Sequence, residues 1–205
     1  LDAASHIDQM NLEVRSLEPA TRKQLQKKVR QYKDSLNSLE EDFDRVREKA
    51  ERTYVDNLRH AAEMLAPHGV RVVIEPINPA LGIPQGASSY TTQGMPGYFL
   101  NHTKDARRYM AEVAHDNLSL HLDVYHMQLL EGHLADTLRA NIDVCRHVQI
   151  AGVPGRHEPD VGEINYPFLF DLLDELGYEG WVGCEYRPAG DTRAGLGWAK
   201  AYGIG

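Results

Sequence analysis

Cysteine is scarce in this 205-residue chain, which contains only Cys145 and Cys184. Two cysteines cannot form a disulfide framework, and their spacing lacks the close pairs of a zinc site. This usage is typical of a reducing compartment, so we expect a cytoplasmic protein. Long apolar runs are missing too, since no stretch approaches the roughly 18 residues that span a bilayer. We therefore expect no membrane span.

An excess of positive charge is also absent, because 22 Lys and Arg stand against 30 Asp and Glu, a net charge of −8. A nucleic-acid-binding surface is therefore not expected. Residues 1–52 carry 11 basic and 11 acidic side chains, whereas residues 53–205 carry 11 and 19, so the acidic excess lies entirely in the second part. This difference predicts two domains, a helical hairpin over residues 1–52 and a second domain over residues 53–205.

Glycine and proline are absent from residues 20–66. Within this segment, apolar residues recur at alternating spacings of four and three: Leu25, Val29, Tyr32, Leu36, Leu39, Phe43 and Val46. This heptad pattern predicts one long helix over residues 20–66. The break at Pro19 separates it from a shorter amphipathic helix within residues 7–17, so the first domain is predicted to be a helical hairpin.

The second domain alternates short β-branched runs with helical patterns. We predict strands at residues 70–74, 118–124, 147–151 and 181–186, and helices at 105–115, 129–144 and 166–176. Residues 79–98 have no periodicity and form a long loop, which is typical of a functional or disordered segment. The alternation predicts an α/β fold with four parallel strands.

Each predicted strand ends in an oxygen-bearing side chain: Glu75, Asp123, Gln149 and Glu185. The carboxyl ends of parallel strands meet at one edge, so these side chains are predicted to converge there. Three carboxylates and an amide suit Mg²⁺ or Mn²⁺, and two of the carboxylates could pass a proton between adjacent carbons. The alternative is that acidic residues at strand ends are solvated loop starters.

Several strings at these strand ends resemble those of hydroxypyruvate isomerases: IEPIN (74–78), LDVYH (122–126), HVQIA (147–151), PGRHEPDVGEINY (154–166) and GCEYRP (183–188). The resemblance covers about residues 54–204. It implies the C-terminal half of a (β/α)8 TIM barrel of the xylose-isomerase-like superfamily. The implied activity is the interconversion of hydroxypyruvate and tartronate semialdehyde through a metal-stabilised enediolate.

The resemblance also implies roles for individual residues. Glu75 and Glu185 resemble the acid–base pair that also holds the metal, and Asp123 and Gln149 resemble the remaining ligands of Mg²⁺ or Mn²⁺. His126 resembles a contact for a substrate hydroxyl, and Arg156 a partner for an anionic group of a small hydroxy-keto acid. As alternatives, His126 is a capping or core histidine, and Arg156 lies in a solvated turn.

The chain departs from the family in two ways. The first four strands of the barrel are not recognisable, and residues 79–93 look like an insertion at the mouth of the site, as a lid or an obstruction. Four parallel strands cannot close as eight do, so the sheet is predicted to leave a face open. We expect the N-terminal hairpin or a second chain to cover that face, which makes a homo-oligomer the expected state.

Two strings in the first domain, QMNLEVRSL (9–17) and VRQYK (29–33), resemble the N-terminal helical domain of Vti-type v-SNARE proteins. The resemblance covers about residues 1–48 and corresponds to two helices of a three-helix bundle. It implies a possible trafficking partner. The alternative function is therefore a helical interaction module of vesicle trafficking that carries an inactive barrel fragment. Two further alternatives are a helical hairpin that covers apolar surface or mediates oligomerisation, and a fused sequence with neither activity.

Overall fold

The computed structural model describes residues 3–79, 95 and 97–204, and the chain divides into two units, Leu1–Tyr54 and Val55–Gly205. Helix α1 spans Ala3–Val14 and helix α2 spans Pro19–Leu65, so the long helix predicted over residues 20–66 is confirmed. Proline suits the first position of α2 because it lacks the amide hydrogen that would be unpaired there. A short 3₁₀ helix, Ala66–His68, follows α2.

The first unit buries little of its apolar sequence. Among residues 3–54, the buried hydrophobic side chains are Val14 and Val29. The seam of α2 beyond Val29 is largely exposed, with Leu39 and Phe43 each 66% accessible to solvent. The heptad pattern therefore forms the predicted helix without forming a core of matching size.

The second unit contains four parallel strands: β1 Val72–Ile74, β2 Leu118–Asp123, β3 Cys145–Ile150 and β4 Trp181–Cys184. They lie side by side in sequence order, which confirms the predicted partial barrel. Helix α3 (Thr103–Val113) connects β1 to β2, helices α4 (Val124–Leu130) and α5 (Leu134–Asn141) connect β2 to β3, and α6 (Tyr166–Glu175) connects β3 to β4. Helix α7 (Thr192–Gly195) and a 3₁₀ helix (Leu196–Tyr202) follow β4.

The core of this unit is made by the two central strands and the surrounding helices. Leu120, Leu122 and Val148 are completely buried, and so is Leu138 of α5. Fully burying one such side chain stabilises the fold by about 1.5–3 kcal/mol. Near-continuous apolar strands of this kind are expected where helices cover a parallel sheet.

One predicted element is wrong. The helix predicted over residues 129–144 is replaced by α4 and α5, with a break between them. Helix α4 begins directly after β2 because Asp123 Oδ1 accepts a hydrogen bond from the Tyr125 amide at 2.8 Å. The break follows from left-handed backbone at Gly132 (φ 65°) and His133 (φ 45°), a conformation that glycine adopts readily.

The remaining differences are small shifts of element ends. The first strand begins at Val72, the third begins at Cys145, and the fourth ends at Cys184. The predicted insertion at residues 79–93 lies, apart from Pro79, outside the described residues. Within the described part of the chain, no helix is both long enough and apolar enough to cross a bilayer.

Candidate active site

The oxygen-bearing side chains occupy one edge of the sheet. Glu75 follows β1, Asp123 is the last residue of β2, and Glu185 follows β4. Gln149 lies in β3, where it is the register partner of Asp123 on one side and of Gly183 on the other. All four positions are therefore at the carboxyl ends of neighbouring strands, as predicted. Their roles as metal ligands or catalysts stay predictions.

Asp123 is at the centre of this cluster, with a side chain only 1% accessible to solvent. Its Oδ2 accepts a hydrogen bond from Arg156 Nη2 at 3.0 Å and lies 3.5 Å from His126 Nε2. The same guanidinium also donates to Glu185 Oε2. The structure thus brings Arg156 and His126 together with the carboxylates. Arg156 lies in the loop after β3, and its side chain is 19% accessible. His126 is 4% accessible, which also fits the alternative of a core histidine.

Glu75 joins the cluster from the neighbouring strand. Its Oε1 lies 3.9 Å from His126 Nε2, and its Oε2 lies 3.6 Å from His121 Nδ1. One ligand atom each from Glu75, Asp123 and His126 lie within 4.8 Å of one another, which is close enough for a shared cation. Gln149 Oε1 is buried and has no hydrogen-bond partner among the described residues. A buried amide oxygen without such a partner fits a ligand of a hard divalent ion.

Glu75 and Asp123 are held in an environment that disfavours their charged forms. Burial, followed by the charges of Asp123 and Glu185, raises the pKa of Glu75 to about 7, against an opposing effect of Arg156. Burial also raises the pKa of Asp123 to about 7, and it outweighs the lowering by Arg156 and by the Tyr125 amide. Groups that exchange protons near neutral pH suit acid–base chemistry.

Burial also favours the neutral forms of the two histidines, and for a base this lowers the pKa. Burial lowers the pKa of His126 to about 3, and the nearby charges of Arg156 and His121 add to the effect. Burial and His147 lower the pKa of His121 to about 4. Neutral imidazoles can act here as hydrogen-bonding groups rather than as cations.

Sequence reasoning missed His121, His147 and Asn78. His121 precedes Asp123 by two residues, so the period of two along a strand places both on the same face, and this signal was available. His147 packs edge-on against His121 with ring centroids 4.7 Å apart. Gly183 makes room for it, since a Cβ at that position would lie 2.7 Å from His147 Nε2. Asn78 carried no comparable signal, because its partner His126 is 48 residues away.

The fold and this strand-end cluster define a class of barrel enzymes. The sequence profile described as "Xylose isomerase-like TIM barrel" matches residues 33–202, and the chain belongs to that family. It is 51% identical over 161 residues to 2-oxo-tetronate isomerase of Cupriavidus necator, covering 78% of this chain and 56% of that protein. It is 41% identical over 162 residues to a human protein provisionally named hydroxypyruvate isomerase, covering 78% and 54%. The chain thus spans about half the length of the curated relatives it matches.

Solved structures agree with this assignment. A Brucella melitensis protein described as an AP endonuclease of family 2 superposes with a TM-score of 0.68 at 44% identity, covering 76% of this chain and 55% of that one. The 3-keto-D-glucoside 4-epimerase YcjR of E. coli superposes with a TM-score of 0.61 at 28% identity, covering 74% and 53%. The superposed part of the chain therefore corresponds to about half of each of these proteins.

A second profile, described as "Vesicle transport v-SNARE protein N-terminus", matches residues 2–47. The match falls on the segment for which this resemblance was predicted. The two profiles overlap over residues 33–47, within helix α2. This part of α2 is therefore similar to both families.

Proposed function

We propose that the α/β unit is a metal-dependent isomerase that interconverts hydroxypyruvate and tartronate semialdehyde. The observation that carries this proposal is the convergence of Glu75, Asp123, His126 and Arg156 at the strand ends. The names of the relatives support the reaction type, and 2-oxo-tetronate is a second substrate of the same chemical class. Both molecules carry a carboxylate and a hydroxyl group next to a ketone.

The proposed reaction moves one proton between adjacent carbons. One of the two carboxylates, Glu75 or Glu185, takes a proton from C3 of hydroxypyruvate, and the other delivers a proton to C2. The hydroxyl proton moves from O3 to O2, so the product is an isomer and no oxidant is required. A pKa of about 7 for Glu75 matches the need to accept and release a proton near neutral pH.

Other residues would hold the substrate and the ion. Arg156 pairs with the substrate carboxylate, since a guanidinium fork matches that group. His126 faces the same space and contacts a substrate oxygen. Glu75, Asp123, Gln149 and Glu185 would hold Mg²⁺ or Mn²⁺, which supplies a Lewis acid for the carbonyl and its neighbouring hydroxyl.

The test is isotope exchange in D₂O. The full chain is incubated with hydroxypyruvate, and separately with 2-oxo-tetronate, with Mn²⁺, with Mg²⁺ or with a chelator. Deuterium incorporation at the carbon next to the ketone is followed by NMR. Metal-dependent exchange that a Glu75→Gln variant loses supports the proposal, and exchange that is independent of both metal and Glu75 contradicts it.

The active form is proposed to contain a second copy of the chain. Strands β1 and β4 are the edges of the four-stranded sheet. On the face that carries His147 and Gly183, Trp181 of β4 is 81% accessible to solvent. An exposed tryptophan beside an unpaired parallel edge favours association. Light scattering should give a dimer that Trp181→Lys dissociates, and a wild-type monomer would contradict this part. The cytoplasmic location, inferred from cysteine usage, belongs to the same proposal.

A second candidate function belongs to the first unit. The exposed apolar seam of α2, formed by Tyr32, Leu39, Phe43 and Val46, is the observation in its favour, together with the match at residues 2–47. This function is binding of a trafficking adaptor through residues 1–48. It would be measured by surface plasmon resonance of the immobilised full chain against a purified SNARE adaptor domain. Binding that the double variant Leu39→Lys, Phe43→Lys abolishes supports it, and no binding by the wild type contradicts it.

A further inference from the structure

A buried contact joins Asn78, in the segment after β1, to His126 in the first turn of α4. The two residues are 5% and 4% accessible, and Asn78 Nδ2 lies 2.7 Å from His126 Nδ1. An amide nitrogen can only donate, so His126 Nδ1 accepts. An Nδ1 that accepts carries no proton, so the ring is neutral and its single proton is on Nε2.

The other ring nitrogen has surroundings that fit the same arrangement. His126 Nε2 lies 3.5 Å from Asp123 Oδ2 and 3.9 Å from Glu75 Oε1. A hydrogen on Nε2 therefore faces two oxygens that can accept it. The contact at Nδ1 selects the tautomer, and the surroundings of Nε2 are compatible with it.

Hydrogen bonds hold the backbone at Asn78 and at the residue before it. The Ile77 amide donates to the Leu100 carbonyl at 3.0 Å, and Asn101 Nδ2 donates to the Ile77 carbonyl at 2.9 Å. The backbone carbonyl of Asn78 accepts a hydrogen bond from the Met95 backbone amide at 2.9 Å. These bonds fix the position of the Asn78 side chain relative to the imidazole.

We propose that Asn78 is a positioning residue that holds His126 in the Nε2–H tautomer, so that His126 donates a hydrogen bond to a substrate oxygen and stays out of the metal coordination sphere. The identity of the acceptor rests on the proposed isomerase function. The exclusion of His126 from the metal is independent of that function, because a nitrogen that carries a proton has no lone pair for a cation. Distance alone would place His126 with Glu75 and Asp123 around an ion. In the Nε2–H tautomer His126 cannot coordinate the ion, so the ligands are the four strand-end residues proposed above.

The first test reads the tautomer directly. Long-range ¹H–¹⁵N NMR of the ¹⁵N-labelled full chain, prepared with a chelator, distinguishes protonated from unprotonated ring nitrogens. A His126→Gln variant assigns the signals of residue 126 by their loss. We expect an unprotonated Nδ1 and a protonated Nε2. The opposite assignment would overturn the proposal, and the wild-type spectrum alone decides this point.

The second test changes Asn78. In Asn78→Asp the carboxylate accepts a hydrogen bond from Nδ1–H, so the ring proton should move to Nδ1. Asn165→Asp is the matched control, because Asn165 accepts the Phe168 amide at the start of α6, a position that also suits aspartate. We expect the control to retain the wild-type tautomer. Should Asn78→Asp unfold by circular dichroism, Asn78→Ala replaces it, with signals from both tautomers expected. A wild-type tautomer in the folded variant would show that Asn78 does not set it.

A third readout concerns the metal. Moving the proton to Nδ1 frees a lone pair on Nε2, so Asn78→Asp should bind Mn²⁺ about tenfold more tightly in calorimetry. The double variant Asn78→Asp, His126→Gln separates this effect from the added charge, and it should lose the gain. A gain that persists without His126 would refute the exclusion from the metal. None of these measurements needs turnover, so an inactive chain with the expected tautomer would refute only the proposed function.

Discussion

The two units of the chain have equally regular apolar patterns but bury them very differently. In the helical unit, Leu39 and Phe43 of α2 are each 66% accessible, although they occupy the seam of a heptad repeat. In the α/β unit, Leu120 and Leu122 of β2 are completely buried. A local pattern is thus sufficient to form the element in both cases, whereas burial depends on partners elsewhere in the chain.

This difference shows where each pattern finds its partners. A parallel strand is followed by a crossover helix, so the covering element is encoded within a few tens of residues. A heptad seam specifies one helix and leaves the partner open, which is another copy, another protein or another segment. The α/β unit, whose strands are followed by their own covering helices, also contains the cluster of Glu75, Asp123, His126 and Arg156.

The largest expected effect is the loss of the proposed isotope exchange in the α/β unit. Glu75→Gln should lower isotope exchange into hydroxypyruvate by about 10²–10⁴-fold, because an amide cannot pass a proton. The matched change in the helical unit, Glu41→Gln on α2, should leave the rate unchanged. NMR-monitored exchange with Mn²⁺ measures both variants. A loss of less than about threefold in Glu75→Gln would remove this residue from the mechanism.

The next effect compares matched leucines in the two units. Leu120→Ala should lower the free energy of unfolding by about 2–5 kcal/mol, because it leaves a cavity in a closed core. Leu39→Ala, on the exposed seam, should change it by less than about 0.5 kcal/mol. Urea unfolding followed by tryptophan fluorescence reports the α/β unit, which contains both Trp181 and Trp198. Circular dichroism follows the helices. Equal losses in the two variants would mean that the seam is buried in solution.

A smaller effect is the pH dependence of the chelator-treated protein. Between pH 4.5 and about 7 the unfolded Glu75 is ionised while the folded residue retains its proton, since its pKa is raised from 4.5 to about 7. The unfolded state then binds fewer protons at this site, so the contribution of Glu75 to stability falls by about 1–3 kcal/mol as the pH rises through this window. The raised pKa of Asp123 acts in the same direction, whereas the lowered pKa values of His121 and His126 act in the opposite direction. Urea titrations of the wild type and of Glu75→Gln at several pH values measure this contribution as the difference between the two stability curves. A difference that does not change between pH 4.5 and about 7 would contradict the raised pKa of Glu75.

The smallest effect is expected on the surface of the helical unit. Asp44→Asn removes the ion pair with Arg47, which joins Asp44 Oδ1 and Arg47 Nη2 at 2.9 Å on side chains that are both more than half exposed. Screening by water limits the loss of stability to less than about 0.5 kcal/mol. Asp143→Asn in the α/β unit breaks a two-armed pair with Arg107 and should cost up to about 1 kcal/mol. Thermal unfolding at low and high salt compares the two pairs, and a larger loss from Asp44→Asn would reverse the expected order.

The strand order and the position of the site were predictable because they depend on local signals. Each β-branched run ends at a polar residue, and right-handed crossovers place successive strands side by side. The sequence therefore predicts that Glu75, Asp123, Gln149 and Glu185 lie at one edge of the sheet. The long helix α2 was predictable for a similar reason, since glycine and proline are missing from its interior.

Features that depend on distant contacts were not predictable in this way. The role of Asn78 depends on an imidazole 48 residues away. The break between α4 and α5 is different, because its signal, the left-handed Gly132, is local and was missed. Trp181 reads as a core residue of a buried strand, yet it is 81% accessible because β4 is an edge strand. A sequence pattern predicts a helix or a strand, whereas the contacts of that helix or strand depend on the rest of the folded chain.

The two oxygens of Asp123 have separate partners, and this limits which mutations a lineage carrying the site could accept. Oδ1 accepts the Tyr125 amide that starts α4, while Oδ2 faces Arg156 and His126. Asparagine would keep the helix start and lose the charge, whereas glutamate would keep the charge and move it away from the amide. Neither substitution preserves both the hydrogen bond to the Tyr125 amide and the charge beside Arg156. A saturation library scored separately for folding and for turnover should therefore contain folded but inactive members at this codon, and few that pass both screens.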